Sequence, residues 1–423
     1  MSRIAVIGAG YVGLTTAVCL SHLGHTVHCA DVLADRVALL EQGQLPVVEE
    51  GLAGLLQQGI AAGSLQFSTD NVEAVTQAEF TFLCVPTPQQ QDGRADLQYI
   101  ERVAGEIGGH LAAESVVINK STVPVGSARV VERALGRPDV AVVSNPEFLR
   151  EGSAVHDFLH PDRIVIGADD EATAIRVAAL FVRIGAPLLV TDPASAEMVK
   201  YASNAFLATK VSFVNAVANL CEAVGADVRQ VVLGMGYDRR IGSEFLRPGP
   251  GWGGSCFPKD TSALVHIAED AGYDFRLLKG VIAVNDDQAE RTIAKAVALA
   301  GGAIEGKTVA LWGLTFKART DDLRGSPAVA IARRLSAQGA RVQAYDPTVD
   351  HPLEGMEVCT DAYAACVGAS VLVVATEWDE LRWLDFAKVG DVMETRAVLD
   401  ARNLLEPAML RRLGFVYQGI GVT

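Results

Sequence analysis

The segment G-G-S-C-F-P-K-D at residues 253–260 sets a cysteine in a glycine-flanked turn, with a cation and a carboxylate within the next four positions. A thiol so placed is either an activated nucleophile, with Lys259 favouring the thiolate and Asp260 holding a proton or a water, or a small buried hydrophobe. Lys200 and Asn204 stand four apart in a helical stretch, so they project from one face one turn apart. An ammonium and an amide held together stabilise an oxyanion, whereas isolated polar residues on a helix are usually solvated. The neighbours Met198, Val199, Ala202, Ala205, Phe206 and Leu207 leave little of this stretch polar, which favours the first reading.

A second kind of chemistry is suggested at the start of the chain. Gly8-Ala9-Gly10-Tyr11-Val12-Gly13 matches G-x-G-x-x-G between an apolar strand and a helical pattern. Gly8 permits a tight turn, Gly10 lets a pyrophosphate approach the backbone, and Gly13 lets the helix pack on the sheet. Asp31 closes the next strand 18 positions after Gly13, where a carboxylate accepts from ribose hydroxyls and repels a 2′-phosphate, so NAD is expected rather than NADP. Two further segments follow strand ends. In N-P-E-F-L-R-E-G, residues 145–152, Glu147 and Glu151 are a base and a cofactor contact or ordinary loop charges. In S-T-V-P-V-G, residues 121–126, the hydroxyls hold a water or cap the next helix.

The elements that must position these residues follow from periodicity. Residues 3 to 7, 12 to 23 and 26 to 30 read as strand, helix and strand, and the alternation continues through strands at 80–85, 115–119, 140–144 and 163–166. A second set has strands at 308–312, 341–345, 371–375 and 397–399 and a helix at 327–338, without the full glycine pattern. Between them, Asp192-Pro193 offers an N-cap and a first-turn proline for a helix running to about residue 222, about 45 Å at 1.5 Å per residue. Such a helix either joins two domains and presents a face to another subunit, or is a lone core helix. The expected class is α/β, two Rossmann-like doubly wound parallel-sheet domains joined by a long central helix, divided at 1–191, 192–298 and 299–423.

Composition excludes several alternatives. A net charge of -15 leaves no overall positive field for nucleic acid or anionic membrane, so a phosphate-bearing substrate must meet local basic groups. No signal peptide or membrane-spanning run is visible. The seven cysteines are scattered without C-x-x-C spacing, which predicts neither disulfides nor zinc and suits a reducing cytoplasm. His22, His25 and His28 straddle a helix end and a strand, so no metal site is expected.

In order along the chain, G-A-G-Y-V-G, C-V-P-T-P, S-T-V-P-V-G, N-P-E-F-L-R-E-G, E-M-V-K-Y-x-S-N, G-G-S-C-F-P-K-D and G-L-T-F-K with R-x-S-P downstream resemble the UDP-glucose/GDP-mannose dehydrogenase family. The resemblance covers nearly the whole chain. It implies that Cys256 is the nucleophile, that Lys200 and Asn204 stabilise the oxyanion, that Thr122 and Asp260 handle a water, and that Glu147 is the base for thioester hydrolysis. It implies NAD contacts from the glycine turn, Asp31, Thr87, Thr122, Glu151, Lys259 and Arg324. Substrate contacts would come from Phe148, Leu149, Lys200, Asn204, Phe245, Gly253, Phe316, Lys317 and Arg402. Arg240 would reach the sugar held by a neighbouring subunit, making a homodimer or higher assembly part of the site. The implied activity is a four-electron oxidation of a nucleotide sugar to a carboxylate, with UDP-glucose first and GDP-mannose or a UDP-N-acetylhexosamine as alternatives. Residues 245–252 depart from the family in their prolines and in Trp252, which bears on the sugar and base. A two-electron hydroxyacid dehydrogenase would share the glycine turn without needing Cys256, and a non-catalytic nucleotide-binding module would not need the polar set.

Overall fold

The computed structural model describes residues 1–90 and 92–422. The chain divides into two compact units, Met1–Ser203 with Ser262–Gly272, and Asn204–Thr261 with Tyr273–Thr423. The first unit is built on eight strands: β1 (Arg3–Ile7), β2 (Thr26–Ala30), β3 (Leu65–Ser68), β4 (Phe80–Leu83), β5 (Val116–Asn119), β6 (Ala141–Ser144), β7 (Ile164–Gly167) and β8 (Leu188–Thr191). Their order is β3-β2-β1-β4-β5-β6-β7-β8, parallel except for one antiparallel pairing of Ser144 with Gly167. Both faces are covered, so the strands read as near-continuous apolar runs. Along β1, Ile4 and Val6 enter one core while Ala5 and Ile7 enter the other.

Strand order reverses between β1 and β4, the switch point at which doubly wound sheets bind ligands beyond their carboxyl ends. The glycine turn after β1 and the segments after β4, β5 and β6 leave from that same edge. The sheet thereby gathers residues 8–13, 84–88, 120–126 and 145–152, which are far apart in sequence. Strands β3 and β8 were not expected from periodicity. Of β3 only Leu65 and Phe67 are buried, and Leu188, Leu189 and Val190 of the edge strand β8 are all half exposed, so neither shows the buried apolar run of a strand such as β7.

The central helix, Pro193–Val224, has 32 residues and a length of about 48 Å. Asp192 caps it by accepting from the Ser195 N–H at 2.9 Å, and Gly225, with φ +75°, ends it. It begins in the first unit and finishes in the second.

The second unit carries a parallel sheet of β9 (Thr308–Trp312), β10 (Arg341–Tyr345), β11 (Glu357–Val358), β12 (Ala369–Val374), β13 (Ala397–Asp400) and β14 (Val416–Gly419), ordered β11-β10-β9-β12-β13-β14. Its first turn repeats that of the first unit. Gly313 N donates to Tyr345 O at 2.7 Å and Leu314 N to Asp346 Oδ2 at 2.7 Å, as Gly8 N does to Ala30 O and Ala9 N to Asp31 Oδ2, both at 2.7 Å. Asp346 differs in also accepting from Thr315 N at 3.1 Å and from the Trp378 indole at 3.0 Å, so its carboxylate is consumed inside the protein.

Residues 419–422 complete this unit's packing on the central helix. Ile420 and Val422 join Ala218, Cys221, Val228 and Ala401 in one apolar cluster, and Gly421 donates to Glu222 at 2.6 Å. Among the described residues no helix is long and apolar enough to cross a membrane.

A Cβ at Gly13 would overlap the Gly8 carbonyl oxygen and press on the Cys84 side chain. Gly13→Ala is therefore expected to lower stability by about 2 kcal/mol or more. Thermal unfolding checks this; an unchanged melting temperature would show that helix and turn can separate without loss.

Candidate active site

The glycine turn has the shape a dinucleotide needs. Gly8 takes φ +99°, and the position a Cβ would occupy at Gly10 has no neighbour within 4 Å, so backbone is exposed where a pyrophosphate would pass. Tyr11 and Val12 open the following helix, Tyr11–His22, whose first N–H groups face the turn. Asp31, buried at the end of β2, accepts from Ala9 N at 2.7 Å, Leu33 N at 2.9 Å and Arg36 Nη1 at 3.0 Å. The Tyr11 hydroxyl bonds to the buried Glu49, and Gly152 N donates to both, at 3.0 Å to Tyr11 and 2.8 Å to Glu49. That knot ties the turn carrying Glu151 to the glycine loop. Open backbone, a helix N-terminus and a carboxylate at the end of β2 together fit NAD.

The loops after β4 and β5 are tied in the same way. Thr87 Oγ1 donates to the Thr122 carbonyl at 2.8 Å, and Ser121 Oγ to the Val85 carbonyl at 2.7 Å. Thr122 does not cap the next helix, Ser127–Leu135, whose N-cap is Gly126. Glu197 of the central helix takes that role instead, accepting from Gly126 N at 2.6 Å, Ala128 N at 3.0 Å and Ser144 Oγ at 2.9 Å. Thr122 is thus held by its backbone.

After β6 lies a buried ionic group. Glu147 accepts from Lys200 Nζ at 2.8 Å and from Leu149 N at 2.6 Å, with both charged side chains at most 6% exposed. Burial works to raise the Glu147 pKa, but the Lys200 ammonium, these hydrogen bonds and the charge of Lys120 outweigh it and hold the carboxyl below its usual range. Phe148 lies with the Arg163 guanidinium 3.6 Å and the Lys200 ammonium 5.5 Å from its ring centroid.

In the second unit Asp260 is fully buried and accepts from Asn204 Nδ2 at 2.6 Å and Lys259 Nζ at 2.7 Å. Its N–H closes the first turn of the helix Phe257–Asp270 on the Cys256 carbonyl at 2.8 Å. Cys256 therefore sits at a helix N-terminus, where negative charge developing on sulfur meets the positive end of the dipole. It is exposed, unlike the buried Cys19, Cys29, Cys84, Cys221 and Cys366, so the buried-hydrophobe alternative does not describe it.

Four polar side chains hold the loop before the cysteine. Gly249 N donates to Asn215 Oδ1 at 2.8 Å, Gln288 Nε2 to Gly249 O at 2.9 Å, Trp252 N to Asn285 Oδ1 at 2.7 Å, and the Trp252 indole to Ser212 Oγ at 2.9 Å. Trp252 packs edge-on to Phe257 at 6.2 Å, so the family departure at this position is an internal anchor. A Cβ at Gly253 would overlap the Gly325 carbonyl oxygen, and Gly254 faces the Phe316 ring. Phe245 adopts φ +60°. Lys317 Nζ stands 5.5 Å from the Phe316 ring centroid, and Arg402 donates to the carbonyls of Phe316 at 3.0 Å and Ala375 at 2.8 Å. Arg324 pairs with Asp322 at 2.8 Å, and the 89% exposed Arg240 side chain with Asp238 at 2.6 Å.

Sequence reasoning did not find Arg36, Glu49, Lys120 or the clamp formed by Asn215, Asn285 and Gln288. Lys120 left one signal, a cation directly after the strand Val116–Asn119, whose first three residues are apolar. The others are polar residues on helices or, for Glu49, in a loop, and nothing in the pattern separates them from solvated ones.

Three models of the UDP-glucose/GDP-mannose dehydrogenase family match in succession, its NAD binding domain over residues 2–185, its central domain over 194–287 and its UDP binding domain over 310–407. The UDP-glucose 6-dehydrogenase of Rhizobium meliloti (strain 1021) is 45% identical over 433 residues, covering 99% of each chain. UDP-glucose 6-dehydrogenase YwqF of Bacillus subtilis (strain 168) is 45% identical over 429 residues, covering 99% of this chain and 97% of the relative. Among solved structures, a UDP-glucose dehydrogenase from the hyperthermophilic archaeon Pyrobaculum islandicum matches with TM-score 0.92 and 36% identity, covering 100% of this chain and 98% of the other.

Lys200→Met removes the main partner of a buried carboxylate and is expected to cost about 3–5 kcal/mol at pH 7. In the parent, the stability that a depressed Glu147 contributes is present above the unfolded value of ~4.3 and lost as pH falls through its lower folded value. In the variant Glu147 rises instead, so its penalty is greatest at neutral pH and shrinks as the carboxyl takes a proton. Urea unfolding at pH 7 and pH 5 checks this, and a difference that does not narrow in acid would contradict it.

Proposed function

The chain belongs to the UDP-glucose/GDP-mannose dehydrogenase family, and from that premise we propose that it oxidises UDP-glucose at C6 to UDP-glucuronate through a thioester on Cys256. Two molecules of NAD, held in succession by the glycine turn and Asp31, would each take one hydride, so that one primary alcohol and one water become a carboxylate with release of two NADH and three protons. The observation that carries the reading is the pair of buried contacts one turn apart on the central helix, Lys200 to Glu147 at 2.8 Å and Asn204 to Asp260 at 2.6 Å, with the exposed Cys256 one turn before Asp260. Names of relatives supply the substrate, several being UDP-glucose 6-dehydrogenases at 41–45% identity.

Thr122 and Asp260 hold the water that takes the proton of the sugar alcohol. The Cys256 sulfur then adds to the aldehyde carbon, and Lys200 and Asn204 meet the negative charge that develops on its oxygen. Loss of a hydride from this thiohemiacetal leaves the thioester. Glu147 removes a proton from a water as that water attacks the carbonyl carbon, the C–S bond breaks, and the thiolate leaves with Cys256 restored. Retaining the aldehyde on sulfur makes the second oxidation intramolecular, which a two-electron enzyme has no need of. Lys317 and Arg402, beside Phe316, supply the local basic site that a UDP group needs on a protein of net charge -15.

The active form is a homodimer in the cytoplasm, with the region 192–298 as its dimerisation and cysteine-bearing part. Phe206, Phe213 and Leu220 are 64%, 53% and 60% exposed at seven-residue intervals on the central helix, an apolar stripe that a second copy would cover. Arg240 extends outward, as a residue reaching a neighbour's sugar would.

Cys256→Ser is expected to retain NAD binding while carboxylate formation falls at least 10³-fold, about the scale of losing a nucleophile. NADH counted per sugar in the parent should be two, and a value of one would refute the thioester route. Phe213→Glu should convert dimer to monomer in sedimentation velocity; a parent that sediments as a monomer would remove the dimer from this reading.

A further inference from the structure

In this reaction scheme Lys200 has two tasks. It is the main counter-charge of Glu147, and it is also the ammonium that meets the oxyanion on the sugar carbon. While drawn to the oxyanion it cannot fully neutralise Glu147, which is 6% exposed and so has almost no water to replace it. Such a carboxylate would take up a proton and cease to be a base.

A second buried cation stands beside it. Lys120, 5% exposed, directly follows β5, and its Nζ donates to Asn145 Oδ1 at 3.0 Å. Asn145 follows the neighbouring β6, two positions before Glu147, and its own amide donates to the Val165 carbonyl of β7 at 2.7 Å. The ammonium also lies 5.7 Å and 5.8 Å from the ring centroids of Phe158 and Phe181, which close it from solvent while offering their π faces. An ammonium so deeply placed is costly to fold around, and an apolar chain of the same length would fill the space at less cost. Nothing in the scheme above gives it a task.

We propose that Lys120 is a positioning residue for thioester hydrolysis, the fixed cation that keeps Glu147 an anion while Lys200 is engaged by the oxyanion. The inference rests on the reading of Glu147 as hydrolytic base. Asn145 holds Lys120 to the strand end that carries Glu147, so this charge cannot follow the reaction as the one on the helix does.

The charges around both groups agree with this division. Glu147 faces Lys200, Lys120 and the Leu149 N–H. Lys120 faces Cys84 at the end of β4, Glu147, and Lys200 from the central helix. Lys120 is lowered to about 8, by burial first and also by repulsion from Lys200, against Cys84 and Glu147, which work to raise it. When the Lys200 ammonium is drawn away that repulsion weakens, so Lys120 holds its proton more firmly at the moment Glu147 depends on it.

The test uses full-length Lys120→Met with NAD and UDP-glucose across pH 5.5–9. Both oxidations precede hydrolysis, so the variant should give a burst of about two NADH per site followed by turnover slowed about tenfold or more, with the adduct on Cys256 visible by intact-protein mass spectrometry. The acid limb of its kcat profile should move up by about one pH unit or more, and NAD binding should be unchanged. Slower turnover with an unmoved acid limb and no adduct would assign Lys120 a purely structural role and overturn the inference. Should Lys120→Met fail to fold, Asn145→Ser, which removes the acceptor that fixes the ammonium, is read by the same limb and the same adduct. Glu147→Gln separates the two levels of the argument: it must accumulate the Cys256 adduct, and if it does not, the base assignment itself fails rather than the role of Lys120.

Discussion

Everything at the ligand-binding edge of the first unit is arranged around a carboxylate that stays ionised where water is excluded. Glu147 does so because Lys200 of the central helix bonds to it directly and the charge of Lys120, at the end of β5, acts on it as well. Buried charges of this kind add little net stability compared with an apolar core of the same volume. Their presence is therefore informative about chemistry rather than about folding. It also explains the sheet order: parallel strands deliver residues 120, 145 and 147 to one edge, and the helix must pass close enough for Lys200 to close the group.

The second unit solves a comparable problem for the thiol. An exposed sulfur gains little from packing, so beyond the Ser255 hydroxyl 3.6 Å away its position comes from the backbone on either side. Downstream, the first turn of a helix and the doubly held Asp260 fix the chain. Upstream, Asn215, Asn285 and Gln288 replace the hydrogen bonds that a loop of prolines and glycines cannot make within itself. The clamp is built from the central helix and the helix Arg276–Leu299, both rigid, which holds the loop more tightly than its own residues could.

Much of this was legible in advance. The repeated strand and helix alternation, the glycine turn ending at Asp31, and the capped helix from Asp192 to Gly225 are local patterns, and the helix ended within two residues of its expected limit. The candidate acids and bases were legible by type and by likeness to a family. What escaped was pairing. That Lys200 meets Glu147, that Asn204 meets Asp260, and that Lys120 is buried at all depend on which strand lies beside which, and no spacing encodes that. Capping was misplaced for the same reason: Thr122 was a candidate by position, but Glu197, 75 positions later, supplies the acceptor. Strands β3, β8 and β14 escaped because, unlike the fully buried four-residue strands β4, β5, β7 and β13, they include exposed residues and so show no continuous apolar run.

The contact between Gly421 and Glu222 spans 199 positions. The central helix can form early, being local, but the apolar surface of Ala218, Cys221 and Val228 stays uncovered until Ile420 and Val422 have been translated. During synthesis the first unit can fold behind the ribosome while the second waits, its sheet incomplete without β14. A stalled or clipped product lacking residues 416–422 would thus carry a finished dinucleotide-binding fold joined to a sticky, half-built partner, so solubility depends on this one short segment.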